Sequence, residues 1–210
     1  MGLNMKLKKG FTGSEGLIIL VIVIIFAVIM TVVLHKKFKK ADIESRLKKT
    51  FVTMSQAATR AELYDNSWGQ WIETENNDGS LSNNESEEYF FNNYLKPYLT
   101  KMKIQNDGMN VCASLADGST ITIDKGTCLD ITFDVNGKKR PNEFAKDRFV
   151  FTYCGSSITD RPTNRLIPYG FYNDSTFPTA LQMCKSTPAK CSTLIMLNNW
   201  KIPKNYPYKI

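Results

Sequence analysis

The sequence predicts an α+β protein in which one long N-terminal helix packs on a small antiparallel sheet. Three observations lead to this fold class. An uncharged apolar run of 18 residues, Leu17 to Leu34, stands near the N-terminus. An apolar stripe with helical spacing follows it. From residue 110 onwards apolar and polar residues alternate, which is typical of half-buried strands.

The apolar run is long enough to cross a bilayer. At 1.5 Å per residue it would span about 27 Å, close to the thickness of the hydrocarbon layer. A cleavable secretory signal has a shorter apolar core and a small-residue site behind it. Here the run is followed by His35 and five residues of which four are lysines. We therefore expect residues 11–34 to be a retained transmembrane segment.

The helical pattern continues beyond the membrane segment. Neither Pro nor Gly occurs from Leu17 to Leu63, and residues 35–63 carry apolar side chains three or four positions apart. This spacing places them on one face of an amphipathic helix. One helix from Phe11 to Leu63 would be about 80 Å long. The stripe that we expect to pack on a head of residues 64–210 consists of Ile43, Leu47, Phe51, Met54, Ala58 and Ala61.

A short motif precedes the apolar run. The segment Lys8–Glu15 consists of Lys-Lys-Gly-Phe-Thr-Gly-Ser-Glu, and it resembles the processing site of type IV pilins and type II secretion pseudopilins. The resemblance implies that residues 1–10 are a basic leader, cut after Gly10 by a prepilin peptidase. It also implies that Phe11 becomes an N-methylated first residue. Glu15 would then pair with the Phe11 amine of a neighbouring subunit during assembly.

The motif departs from the family in its small residues. Gly13, Ser14 and Gly16 stand where the family usually has large apolar residues, and the proline found in the middle of many major pilin helices is missing. Both departures favour a pseudopilin or a minor pilin over a main shaft subunit.

The resemblance implies a structural function. The chain would be a single-pass inner-membrane protein with its head outside the cytoplasm, assembled into a helical fibre of a type IV pilus or a secretion pseudopilus. Its expected partners are other pilin or pseudopilin subunits, the prepilin peptidase, an inner-membrane assembly platform and membrane lipid. The alternative is a signal-anchored surface domain that binds a ligand and never polymerises.

The head should contain an antiparallel sheet of about four strands, since turn residues such as Asp117-Gly118 separate the alternating segments. Near the C-terminus, residues 178–185 and 192–199 are predicted to form short helices. The five cysteines lie beyond the apolar run, and outside the cytoplasm they would form disulfides. The sequence leaves their connectivity open. We favour the sequence-local pairs Cys112–Cys128 and Cys184–Cys191, with Cys154 as the odd cysteine.

Oxygen-bearing residues in the loop that leads into the last predicted strand raise a calcium hypothesis, since some pseudopilins bind calcium in a sheet-side loop. The candidate ligands are Asp130, Asp134, Asn136 and Asp147. Their spacing does not fit an EF-hand, and the three cations 138–140 oppose a bound cation. A plain hairpin with polar turn residues is therefore favoured, and no other cofactor is expected.

The residue inventory argues against catalysis. His35 is the sole histidine and borders the apolar run, which removes His-based triads and His-ligated zinc from consideration. Neither a P-loop nor a dinucleotide-binding glycine motif occurs. Loss of the leader lysines would lower the formal net charge from +7 to +4. We expect neither an enzyme nor specific binding of nucleic acid.

Overall fold

The computed structural model describes residues 13–63, 68–69, 83–99, 101–106, 111–155 and 159–210. The protein has an α+β fold with a long N-terminal helix and a small antiparallel sheet. Its chain divides into two compact units, Met1–Lys39 and Lys40–Ile210. We call the second unit the head and describe each unit by itself.

The first helix, α1, runs from Gly13 to Leu63. The absence of proline lets its backbone hydrogen bonds continue without a break. An acidic residue, Glu15, lies in its first turn and a basic residue, Arg60, in its last turn. These charges complement the helix dipole at both ends.

The head contains a six-stranded sheet in which each strand pairs, antiparallel, with the next strand along the chain. The expected four strands were too few. The first strand has one apolar residue and the last is only three residues long, so neither shows a clear alternation. The strands are β1 (Lys103–Asn106), β2 (Val111–Ser114), β3 (Thr120–Lys125), β4 (Cys128–Asp134), β5 (Arg148–Cys154) and β6 (Leu166–Pro168).

One face of the sheet is apolar and packs on the part of α1 that belongs to the head. Alternate residues of each strand point to this face, as the two-residue period requires. Phe51 of α1, for example, packs on Phe151 of β5 with ring centroids 5.4 Å apart. The buried sheet residues of this core are Val111, Ala113, Ile121, Ile123, Leu129, Ile131, Phe133, Phe149, Phe151, Tyr153 and Leu166.

Three short helices complete the described part of the head. Helix α2 (Asn83–Phe90) continues into one wide turn, Phe91–Leu95. Helices α3 (Phe177–Ser186) and α4 (Cys191–Leu197) confirm the two predicted C-terminal helices. They surround a second, smaller core that includes Cys184 and Cys191.

Candidate functional site: an exposed apolar helix and its disulfide-bridged head

The first unit presents an unburied apolar surface. Every described residue from 13 to 39 is exposed, and these residues include a run of large aliphatic side chains and Phe26, which is 67% exposed. Apolar surface left in water costs about 25 cal/mol per Å². Within the described part of the chain, α1 is the one helix that is long and apolar enough to cross a membrane. Such a surface is therefore more favourable where lipid or other protein covers it.

The residues of the predicted processing motif lie at the edge of the described structure. Gly10 and Phe11 lie outside the described residues. Glu15 is exposed and stands in the first turn of α1, two residues before the apolar run begins. Any covering of the run would bring this carboxylate to the border of an apolar environment, where a charge needs a partner.

Within the head, α1 buries the predicted stripe. Five of its six residues are at most 3% exposed. The sixth, Phe51, is half-buried between Phe151 and Trp200, and its ring centroid lies 4.7 Å from that of Trp200. The helix also buries Glu44, which the stripe did not include.

Glu44 binds the C-terminal segment of the chain. It is 7% exposed, and its Oε1 accepts the backbone N–H of Ile202 at 2.9 Å. Its Oε2 accepts a hydrogen bond from Lys201 Nζ at 2.9 Å. Sequence reasoning missed this contact, because the partners lie more than 150 positions further along the chain and no local pattern marks a glutamate as buried.

Arg46 connects α1 to two loops of the sheet. Its Nη1 donates to the carbonyl oxygen of Asp117 at 2.9 Å and to that of Val135 at 3.3 Å, while its Nε donates to Asp42 on the same helix. Burial raises the pKa of the Asp117 carboxyl, but hydrogen bonds from Ser119 and the nearby Arg46 charge hold it below its ordinary value overall. The two loops therefore lie side by side at one end of the sheet.

The opposite end of the sheet meets the C-terminal part of this helix. Tyr153 is fully buried, and its hydroxyl donates to the Glu62 carboxylate. Burial, and then the hydrogen bond to Glu62, raise the pKa of Tyr153. Its ring packs on the buried indole of Trp68 at 5.3 Å between centroids. Arg46 and Glu62 thus fix the helix to the sheet at both ends, and Glu44 fixes it to the C-terminal segment.

The disulfide pairing differs in part from the prediction. The bridge Cys184–Cys191 is confirmed. The predicted bridge Cys112–Cys128 is wrong, because Cys128 is joined to Cys154, and Cys112 belongs to neither bridge. Cys128 and Cys154 lie directly opposite each other on β4 and β5, with Cα atoms 4.5 Å apart. Cys112 lies on β2, which β3 separates from β4.

The predicted calcium ligands are brought together only in part, and they have protein partners. Asp147 is 1% exposed, and its carboxylate accepts the backbone N–H groups of Asn142 and Glu143 as well as the side-chain amide of Asn136. Asp134 accepts the backbone N–H of Asn136 and forms an ion pair with Arg148 at 2.9 Å. Burial raises its pKa despite that pair.

The fourth predicted ligand, Asp130, lies on β4, four residues before Asp134 and outside the loop. It stands opposite Thr152 on β5, which donates a hydrogen bond to it. Among the residues that the structure describes, no group of three or more acidic, histidine or cysteine side chains is placed to hold a metal ion. Hydrogen bonds within the loop account for the positions of the Asp134 and Asp147 carboxylates. These positions therefore add no support to the calcium hypothesis.

Comparisons with known proteins assign this head to a family. A family described as a family of unknown function (DUF6613) matches residues 33–210. The chain belongs to this family. No curated protein and no solved structure matches it. The family match spans the head, with both disulfides and the contacts of Glu44, Arg46 and Glu62. The predicted processing motif and nearly all of the apolar run lie before it.

In this family member the outer face of the sheet carries the polar residues. An open cleft of about 680 Å³ lies on this face, lined by threonines of β3 and β4 and by the Asp134–Arg148 pair. Asp124 and Asp130 face each other across β3 and β4. Burial, and secondarily the Asp124 charge, raise the pKa values of Asp130 and of Glu87. Sequence reasoning did not single out this acidic end, because it depends on the register of the strands.

Proposed function

We propose that this protein is a structural subunit of a type IV pilus or of a type II secretion pseudopilus. A prepilin peptidase would process it, and an inner-membrane platform would assemble it into a helical fibre. The observation that carries the proposal is the uninterrupted α1: a fully exposed apolar part is followed, in the same helix, by a part whose stripe is buried under an antiparallel sheet. The motif Lys8–Glu15 directly ahead of it supports the same proposal.

The exposed helix gives the proposal its physical logic. Before assembly the apolar residues lie in the bilayer, and in a fibre they would pack on the same residues of other copies. Replacing lipid with protein leaves the apolar surface covered in both states. Glu15 supplies a register signal, because a carboxylate in apolar surroundings is costly until a cation pairs with it. The freed amine of Phe11 in a neighbouring copy is that cation.

The head is suited to a compartment outside the cytoplasm. Two disulfides close its sheet and its C-terminal helices, and such bridges persist in oxidising compartments. The proposal includes no catalytic step and no cofactor. Assembly as a minor subunit or pseudopilin is preferred, because small residues surround Glu15 in the sequence.

Processing can be tested by co-expressing the full chain with a prepilin peptidase and measuring its intact mass. We expect the loss of residues 1–10 and the gain of one methyl group on Phe11. Gly10→Val should block the cut. The matched control Gly13→Val should not, because a side chain at position 13 meets no atom within 4 Å. An intact leader in the unchanged chain would overturn the proposal and favour the non-polymerising, ligand-binding alternative.

The role of Glu15 can be tested separately in a strain that assembles fibres. Glu15→Val should leave membrane insertion intact and abolish incorporation into fibres. Asp42→Val is the matched control, because Asp42 is a half-exposed carboxylate on the same helix outside the apolar run. Normal incorporation of the Glu15→Val chain would contradict the pairing with Phe11.

A further inference from the structure

One end of the head is defined by the point at which the chain enters it. The head begins at Lys40, six residues after the apolar run ends at Leu34. Arg46 binds the loops that contain Asp117 and Val135, so these loops lie at the same end. We call this the proximal end. It is the end at which the chain leads from the apolar segment into the head.

The loop that follows Val135 presents three cations at the proximal end. Lys138, Lys139 and Arg140 are all exposed. In the part of the chain that the structure describes, no carboxylate lies within ion-pair distance of any of them. These three positive charges are therefore available to an outside partner.

The acidic residues of the same loop do not neutralise them, because each has its own partner. Asp134 pairs with Arg148, and Glu143 pairs with Lys146. Asp147 is buried and accepts backbone N–H groups. The backbone of Gly137, which directly precedes these cations, lies so close to the neighbouring loop that an added Cβ would come within 2.5 Å of the Gly118 carbonyl oxygen. The cations thus follow a segment that packs against that loop.

An aromatic side chain lies in the same loop. Phe144 is 43% exposed, although it lies beside the buried Ala145. Exposed cations beside an aromatic ring are the combination that binds the interface of a membrane: the cations attract anionic headgroups and the ring enters the boundary with the acyl chains. A purely electrostatic contact with a soluble acidic partner would not require the exposed aromatic ring of Phe144.

The opposite, distal end of the sheet carries charges of both signs. Asp124 and Asp130 face each other there, and the Arg161 charge acts on Asp130. A negatively charged bilayer surface would attract the three exposed cations of the proximal end, whereas at the distal end it would meet carboxylates as well as cations. The proximal end is therefore the more favourable side for contact with such a surface.

We propose that the loop of Lys138, Lys139, Arg140 and Phe144 binds the anionic phospholipid headgroups of the membrane in which α1 is anchored. This inference rests on the membrane insertion in the proposed function but not on processing or polymerisation. The contact would hold the unassembled head on the bilayer and would have to be released when a copy leaves it.

The test uses the full chain, carrying Phe144→Trp, in phosphatidylcholine vesicles with or without phosphatidylglycerol. Brominated lipid then quenches the emission of any indole at the headgroup boundary, and the unchanged chain gives the background from its own tryptophans. We expect the added emission to be quenched in vesicles with phosphatidylglycerol. The quenching should fall at least fivefold without it, and likewise at high salt, where the Debye length shrinks to about 3 Å.

A charge variant and a matched control show whether the quenching depends on the cations of this loop or on the positive charge of the head as a whole. The double variant Lys138→Gln with Lys139→Gln should reduce the quenching at least fivefold. Each cation near an anionic surface contributes about 1 kcal/mol, which is about fivefold in binding. Arg161→Gln with Arg165→Gln removes the same charge near β6 and should leave it unchanged. In the chain with Phe144 intact, amide exchange of residues 136–143 should slow only in anionic vesicles.

Equal quenching in both kinds of vesicle, or equal effects of the two double variants, would overturn the proposal. Protection of this loop only after assembly into fibres would also overturn it and assign the surface to a neighbouring protein. A chain that inserts with an intact leader but shows charge-dependent quenching would refute the proposed function and leave the lipid contact standing.

Discussion

The Glu44 carboxylate joins the start of the head's helix to the C-terminal segment. The loss of folding free energy on removing this carboxylate can be worked out from the structure. Glu44→Ala would leave the Ile202 N–H, in a residue that is 5% exposed, without its acceptor. Such an unsatisfied buried donor costs about 1–3 kcal/mol. The ion pair with Lys201 adds little, because that side chain is 68% exposed and exposed pairs contribute at most about 1 kcal/mol.

The structure therefore predicts an order of effects. Glu44→Ala should destabilise the head by about 2–3 kcal/mol, or about 4–12 °C in Tm for a unit of this size. Glu44→Gln keeps an acceptor oxygen for Ile202 and should cost less than about 1 kcal/mol. Lys201→Ala should match the Gln variant. Thermal unfolding of the full chain in detergent, followed by tryptophan fluorescence, measures all three, since Trp200 stands next to the contact.

Two results would refute this reasoning. If Glu44→Gln were as destabilising as Glu44→Ala, the negative charge and not the hydrogen bond to Ile202 would stabilise the contact. If Glu44→Ala had no effect, the C-terminal segment would be held by the packing of Trp200 and Ile202 alone. Salt provides a further check, because screening should weaken only the part of the effect that comes from Lys201.

The remaining predictions concern a turn, a bridge and a titrating group. Gly137→Ala should cost at least about 2 kcal/mol in a urea melt, because φ is +64° and a Cβ would lie 2.5 Å from the Gly118 carbonyl oxygen; Gly118→Ala, with open space around its Cβ, should cost clearly less. Cys154→Ser should lower stability by about 2–4 kcal/mol, whereas Cys112→Ser should leave both bridges intact in a thiol-trapping mass measurement. Asp130→Asn should stabilise the head by about 0.2–1 kcal/mol at neutral pH. Because burial raises the folded-state pKa of this acid, the gain should vanish as the pH falls through that pKa, and a gain that persists in acid would contradict the assignment.

The parts of the fold that repeat along the chain were predictable from the sequence. The apolar run and the stripe from Ile43 to Ala61 follow a helical period over many residues, so single exceptions such as the half-buried Phe51 did not obscure them. The middle strands alternate strictly and have clear turns. The strands β1 and β6 were missed because short edge strands carry too few apolar residues to show a period.

The disulfide error came from pairing cysteines by their separation along the chain and not by the register of the strands. Pairing Asp134 with Arg148 and counting six residues outward on both strands leads to Cys128 opposite Cys154. Sequence separation instead favoured Cys112, which is closer in the chain but two strands away. The buried Glu44 was beyond prediction for a different reason: its burial depends on a segment at the far end of the chain.

The order of the strands also has a consequence for how the head is completed as the chain is delivered from its N-terminus. The sheet can form step by step, because every strand pairs with the one that was delivered just before it. The start of the helix must wait, since the partners of Glu44 arrive 157 and 158 residues later. The entropic cost of closing a loop grows only with the logarithm of its length. The long separation therefore delays the contact more than it weakens it. A chain that stalls before Lys201 would carry a formed sheet and an unsealed helix, which makes this contact a marker of a fully folded head.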